Sequence, residues 1–132
     1  RTRLSWENRG HFLAVYTKVM RNILIDMARS KLAVKRGGDR VEVTLGDHHN
    51  KVEAQADELL AIDQALDKLA ELDERLARTV ECRFFAGLNE VETGLALGVS
   101  DRTVRRDWIK ARTILHGLLD DAHFQSGTDG GH

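Results

Sequence analysis

The 132-residue chain is predicted to be all-α: a long helix, a linker, then a small helical bundle ending in a helix-turn-helix. Three observations carry that prediction. Proline is absent and aromatic residues make up only 5%, while Leu, Ala, Arg, Glu and Asp dominate. Apolar residues recur at steps of three and four in several stretches, the spacing of a buried helical face. Glycines fall where those stretches stop, at Gly37, Gly38, Gly87 and Gly98.

The first helix is expected over about His11 to Ala33, with Phe12, Val15, Val19, Ile23 and Met27 on one side. An isolated helix of this kind is marginal, so that side calls for partner helices. The chain opens at Arg1, partway into what reads as a loop, and the natural protein is expected to extend upstream. Residues 38–56 read as linker: "DRVEVTLGDHHNKVEAQ" shows no helical stripe, and its "VEVTL" alternates like a short strand or extended segment. Helical periodicity returns with Leu59, Ile62, Leu66, Leu69 and Leu72. A further helix covers about Glu74 to Phe85, closed by Gly87, and Asn89 suits the cap of the next.

The last helix carries the clearest stripe: Val104, Trp108, Ala111, Leu115 and Leu118 recur at steps of four, three, four and three. Gly98 suits the left-handed position that ends the preceding helix, and Ser100 suits the N-cap of this one. Helix, tight Gly-Val-Ser turn, helix is the layout of a helix-turn-helix. The tail, residues 125–132, has nothing to bury and is expected to be disordered. The expected units are therefore residues 1–37, a linker 38–56, a helical domain 57–124 and the tail.

A formal net charge of −1 excludes a polybasic binder, yet the charge is segregated. Lys18, Arg21, Arg29, Lys31, Lys35, Arg36 and Arg40 make the first third basic. Acids from Glu53 to Glu74 dominate the middle, and the 102–112 stretch is basic again. Two basic segments flanking an acidic one point to two contact surfaces for an anionic partner. Cys82 is the single cysteine, so no disulfide framework or cysteine-based zinc site is available, and a reducing compartment is the simple expectation. No apolar run approaches the roughly 20 residues of a membrane span, and no signal peptide is visible. No cofactor or metal is implied. "GDHHN" invites a metal reading, but nothing else in the chain completes a ligand set, and it reads as linker rather than as a catalytic centre.

Opposite the stripe of the last helix point Arg102, Arg106, Ile109 and Thr113, flanked by Arg105 and Lys110. Arginines opposite an apolar stripe are often only a solvated face. Behind a capped tight turn, they also provide what a recognition helix needs: long donors for phosphates and guanine edges on a helix that fits the major groove. Ser100 and Thr103 read as cap residues whose hydroxyls or amides also reach phosphate. Trp108 lies in the apolar stripe and is expected to pack in the core.

"DRTVRRDWIKARTIL", preceded by "VECRFFAGLNEVETGLALGVS", resembles the promoter −35 domain of bacterial extracytoplasmic-function (ECF) sigma factors. "SWENRGHFLAVYTKVMRNILIDMARSKLAVKRGG" resembles the end of their −10 domain, in the subgroup with a Met-Arg and Lys-Arg-Gly-Gly pattern. The resemblance implies a non-enzymatic, cytoplasmic factor of a bacterium, nucleoid-associated when active. Its partners would be promoter DNA and core RNA polymerase, with an anti-sigma factor as a further candidate. The resemblance supports −35 contacts by Arg102, Arg105, Arg106 and Lys110, and Ser100, Thr103 and Ile109 join them as expected contacts from their place on the same surface. It matches Asn8, Arg9, His11, Arg21, Asn22 and Asp26 to −10 strand positions, with Asp26 and Arg29 pairing or bracing the helix. Beyond them, Lys31, Lys35 and Arg36 read as a basic exit that follows the strand's phosphates, or as a plain solvated charge run. Trp6 and Phe12 would stack on bases or join the core. Two departures stand out. The earlier −10 helices, which in the family carry the main polymerase-docking surface, have no counterpart within these 132 residues and are expected upstream. Gly94 stands where the family has alanine, at a cost of ~1 kcal/mol in a helix interior, so a softened helix is expected there. Two other classes share parts of the pattern: a dimeric helix-turn-helix repressor or activator independent of polymerase, and a protein-interaction module whose cationic face meets an acidic partner.

Overall fold

A computed structural model describes residues 6–37 and 46–131, and among them every regular element is helical. Helix α1 spans Trp6–Gly37, α2 Gly46–Leu72, α3 Glu74–Val80, α4 Glu90–Leu97 and α5 Asp101–Gly131. A π-helical turn, Glu81–Phe85, continues α3. Its Ala86 amide donates to the Glu81 carbonyl at 3.3 Å, five residues back. The wide turn brings Glu81, Cys82 and Phe85 inward together.

One core joins these helices. Ile62, Leu66 and Leu69 of α2 meet Leu76, Ala77 and Val80 of α3, Phe85, and Ala111 of α5. Leu59, Trp108, Leu115 and Leu118 lean against that cluster, so the stripes read in α2 and α5 are the faces that pack, except for Leu72 at the end of α2, which is 67% exposed. Asp73 starts α3 by accepting from the Leu76 amide at 3.2 Å, supplying one of the partners a helix start lacks.

Helix α1 adds Ile25 to the core, but it packs through the side opposite to its apolar stripe. Gly10, Thr17, Ile25 and Ala28 are buried against the bundle. Phe12, Val15, Val19, Ile23 and Met27 stay 46–62% exposed. The reason is size and charge. Gly10 lies so close to the Leu95 carbonyl of α4 that a Cβ there would collide with it. Farther along, Arg21 finds carboxylates on α2 and the π turn. Small residues and one guanidinium thus decide which face docks.

The structure corrects three boundaries. Residues 46–56, expected within an extended linker, form the first turns of α2, and Ala56 is buried. Val52, Ala56 and Leu59 continue the α2 stripe backwards, but a small Ala and the poorly helical "GDHHN" concealed it. The remainder of that stretch, residues 38–45, lies outside the described residues, as do residues 1–5 and 132. Residues 125–131, expected as a tail, lie within the bounds of α5. The helix expected over 74–85 changes to π geometry at Glu81.

Candidate nucleic-acid interface

The surface that carries the arginines is built on a rigid turn. Asn89 opens α4 with a reciprocal cap: its side chain accepts from the Glu92 amide at 2.8 Å, and Glu92 accepts from the Asn89 amide at 2.9 Å. Helix α4 ends at Gly98, whose φ of 74° is left-handed. The Gly98 and Val99 amides both return to the Gly94 carbonyl, at 2.8 and 3.0 Å. Ser100 then starts α5. Its Oγ accepts from the Thr103 amide at 3.1 Å and donates to the Thr103 hydroxyl at 3.1 Å.

Gly94 has a positive role here. A Cβ at this position would sit 2.6 Å from the Val99 carbonyl oxygen, so the turn folds back onto the helix only because no side chain intervenes. Gly94 is therefore more than a softened helix position, because a Cβ at this close approach would force the turn to shift.

Behind the turn, Val104 and Ala111 anchor α5 with no exposed surface. The opposite side presents Arg102, Arg106, Lys110 and Thr113 to solvent, with Ile109 among them at 61% exposure. A bulky apolar residue on a cationic face is the combination that meets thymine methyls between phosphates. Arg105 is also exposed but held: Glu90 accepts from its Nη2 at 3.0 Å and its Nε at 3.2 Å, and Asp101 lies 3.9 Å away. Ser100 donates its hydroxyl proton to the Thr103 oxygen.

Trp108 lies between the two faces. It leans on the core, and the guanidinium carbons of Arg83 and Arg112 lie over its ring, 5.1 and 5.7 Å from the centroid. A second feature had no place in the sequence reading. Asp107, 4% exposed, accepts from Arg75 of α3 through Nε at 2.7 Å and Nη2 at 3.3 Å. The signal was a lone carboxylate in a run of arginines, at the edge of the stripe between Val104 and Ala111. Pairing with Asp107 pushes the Arg75 pKa further above its ordinary value.

The residues expected along a captured strand divide differently. Asn8, Arg9, His11 and Asn22 lie on exposed positions of α1. The side chains of Lys35 and Arg36 lie outside the described residues. Arg21 is the correction. Its Nε donates to Asp63 at 2.8 Å, Nη1 to Glu81 at 2.8 Å, and Nη2 to Asp67 at 3.2 Å and the Asp63 carbonyl at 3.1 Å. Its guanidinium also lies 5.6 Å from the Phe85 ring centroid. Burial pushes the Arg21 pKa down, but the bonds to Glu81 and Asp63 outweigh it and hold the group above its usual value. Arg21 is an internal clamp, with four of its five N–H donors engaged by α2 and the π turn. Sequence could not reveal this, because Asp63 and Glu81 lie 42 and 60 residues away.

Among the described residues, no group of three or more His, Cys, Asp or Glu side chains is placed to hold a metal ion. No described helix is long and apolar enough to cross a membrane. Neither the curated proteins nor the solved structures returned a match to this chain. The family comparison did: the ECF sigma factor model matches residues 2–121, taking in α1, the bundle and the arginine-bearing surface of α5. The chain therefore belongs to the ECF sigma factors, and its role is that of a sigma factor in transcription initiation.

Proposed function

We propose that α4, its turn and α5 form a helix-turn-helix that reads the −35 element as duplex DNA, lending promoter specificity to core RNA polymerase. The observation that supports this best is the exposed face of α5: Arg102, Arg106 and Lys110 around Ile109, on a helix capped by Ser100 and anchored by Val104 and Ala111. Cations supply phosphate attraction, Arg106 supplies a fork for a guanine edge, and Ile109 supplies an apolar contact. Asn8, Arg9, His11, Asn22, Lys35 and Arg36 of α1 form the proposed −10 surface, which helps hold the opened strand. In this reading residues 1–37 and 57–124 belong to separate functional domains, the factor is cytoplasmic and non-enzymatic, and an anti-sigma factor is a candidate regulator.

The test starts from the duplex that the wild-type chain selects most tightly from a random pool. Arg106→Ala is expected to weaken that duplex by about 1–3 kcal/mol while leaving a scrambled duplex nearly unchanged. Equal loss on both, with a shallower salt slope, would demote Arg106 to a phosphate contact. Unchanged binding to both removes α5 from the reading role. Retention of the chain on immobilised core polymerase separates a sigma factor from a free-standing repressor.

A further inference from the structure

We infer that the Arg75–Asp107 pair is a positioning device for base readout, setting the rotation of α5 about its own axis. The inference rests on the reading that α5 contacts base pairs, and it concerns residues outside the contact face.

The apolar side of α5 is held by Val104 and Ala111, fully enclosed, and by Trp108, Leu115 and Leu118 leaning on the core. Apolar burial carries no direction of its own. On the exposed side Arg105 bonds Glu90 of α4, a pair that solvent screens. Asp107 supplies direction. Its carboxylate is nearly enclosed and takes a two-point fork from Arg75, at 2.7 and 3.3 Å. Arg75 itself stands on a fixed base: it sits in the first turns of α3, one residue from Leu76, whose amide Asp73 caps, and its carbonyl accepts from the Thr79 hydroxyl at 2.9 Å. The fork therefore ties α5 to α3, and Asp107 stands in sequence directly between Arg106 and Trp108.

The leverage is large. Side-chain heads lie roughly 5–6 Å from a helix axis, so a 15° roll moves them by about 1.5 Å. That displacement defeats a bidentate contact to a base, which tolerates only about 0.5 Å or 10–20°. Phosphate attraction, being less directional, survives it. The pair should therefore govern discrimination between sequences more than affinity for DNA in general.

Two variants of the full chain test this on the pool-selected duplex and a scrambled one, each with a thermal melt. Arg75→Met with Asp107→Leu removes both charges, leaving no unpaired carboxylate. It is expected to melt cooperatively and to lose about tenfold in the cognate-to-scrambled affinity ratio, with scrambled binding and salt slope unchanged. Arg75→Lys keeps Asp107 neutralised but offers a point charge instead of a fork, and should lose several-fold in the same ratio. A folded double variant with the wild-type ratio overturns the inference. So does equal weakening on both duplexes with a shallower salt slope, which would make Arg75 a phosphate contact. If the double variant fails to fold, Arg75→Lys decides: an unchanged ratio rejects positioning and a reduced one supports it. A wild-type chain that prefers no duplex in the pool defeats the readout by α5 itself, and the positioning role with it.

Discussion

Helices α1 and α5 carry similar amphipathic patterns and use them in opposite ways. In α5 the apolar stripe is buried and the charged face is open; in α1 the apolar stripe is open and an arginine on the other face is enclosed. The contrast shows that periodicity locates faces without saying which neighbour each will meet. For α5 the neighbour is a bundle a few residues away in sequence, with apolar surface to offer. For α1 the available neighbour offers Asp63, Glu81 and a backbone carbonyl at Leu95, and these favour Arg21 and Gly10 over Phe12 and Ile23.

Four substitutions test how real the contrast is. Trp108→Ala should have the largest effect, about 3 kcal/mol of stability by chemical denaturation, because it removes a ring that leans on the core and carries two guanidiniums. Full stability with lost DNA binding would instead move Trp108 to the contact face. Arg21→Met should cost about 2 kcal/mol, since Glu81, only 3% exposed, keeps Arg78 at 3.2 Å and Lys18 at 4.0 Å but loses its closest partner. An unchanged melt would show that α1 does not depend on this clamp. Gly94→Ala sharpens the comparison from the other side. Helix propensity alone predicts a gain of ~1 kcal/mol, whereas the 2.6 Å approach to Val99 predicts a loss of about 1 kcal/mol or more. The sign of the change decides between them. Ile23→Ser should be smallest, within about 0.5 kcal/mol, as for any exposed side chain. A larger loss would mean that the open face of α1 is covered in solution.

What could be read beforehand follows from range. The α5 stripe, the stop at Gly98 and the cap at Ser100 are written within a few residues of where they act, and each was legible. The class of fold followed from the same local signals. The first turns of α2 were hidden because Asp47, His48, His49 and Asn50 favour helix weakly, while the burial of Ala56 that rewards the helix comes from its packing. Arg75 and Asp107 lie 32 residues apart, so their union depends on how α3 meets α5. Arg21 shows the limit most plainly. Resemblance put it on DNA, yet three carboxylates on α2 and the π turn claim it. A charged residue declares what kind of partner it wants, and only the fold says which partner is nearest.

Cys82 gives the docking of α1 a time axis. The thiol is buried in the π turn, and the Thr17 hydroxyl of α1 donates to its sulfur at 3.7 Å. Burial holds its pKa above the ordinary thiol value despite that bond, so it is a poor nucleophile where it lies. It is also the chain's single cysteine. A thiol reagent therefore meets no competing site and must wait for an opening that uncovers the sulfur, the lifting of α1 among them. The labelling half-life becomes a stopwatch for openings at this contact, with no dye, tag or engineered residue required.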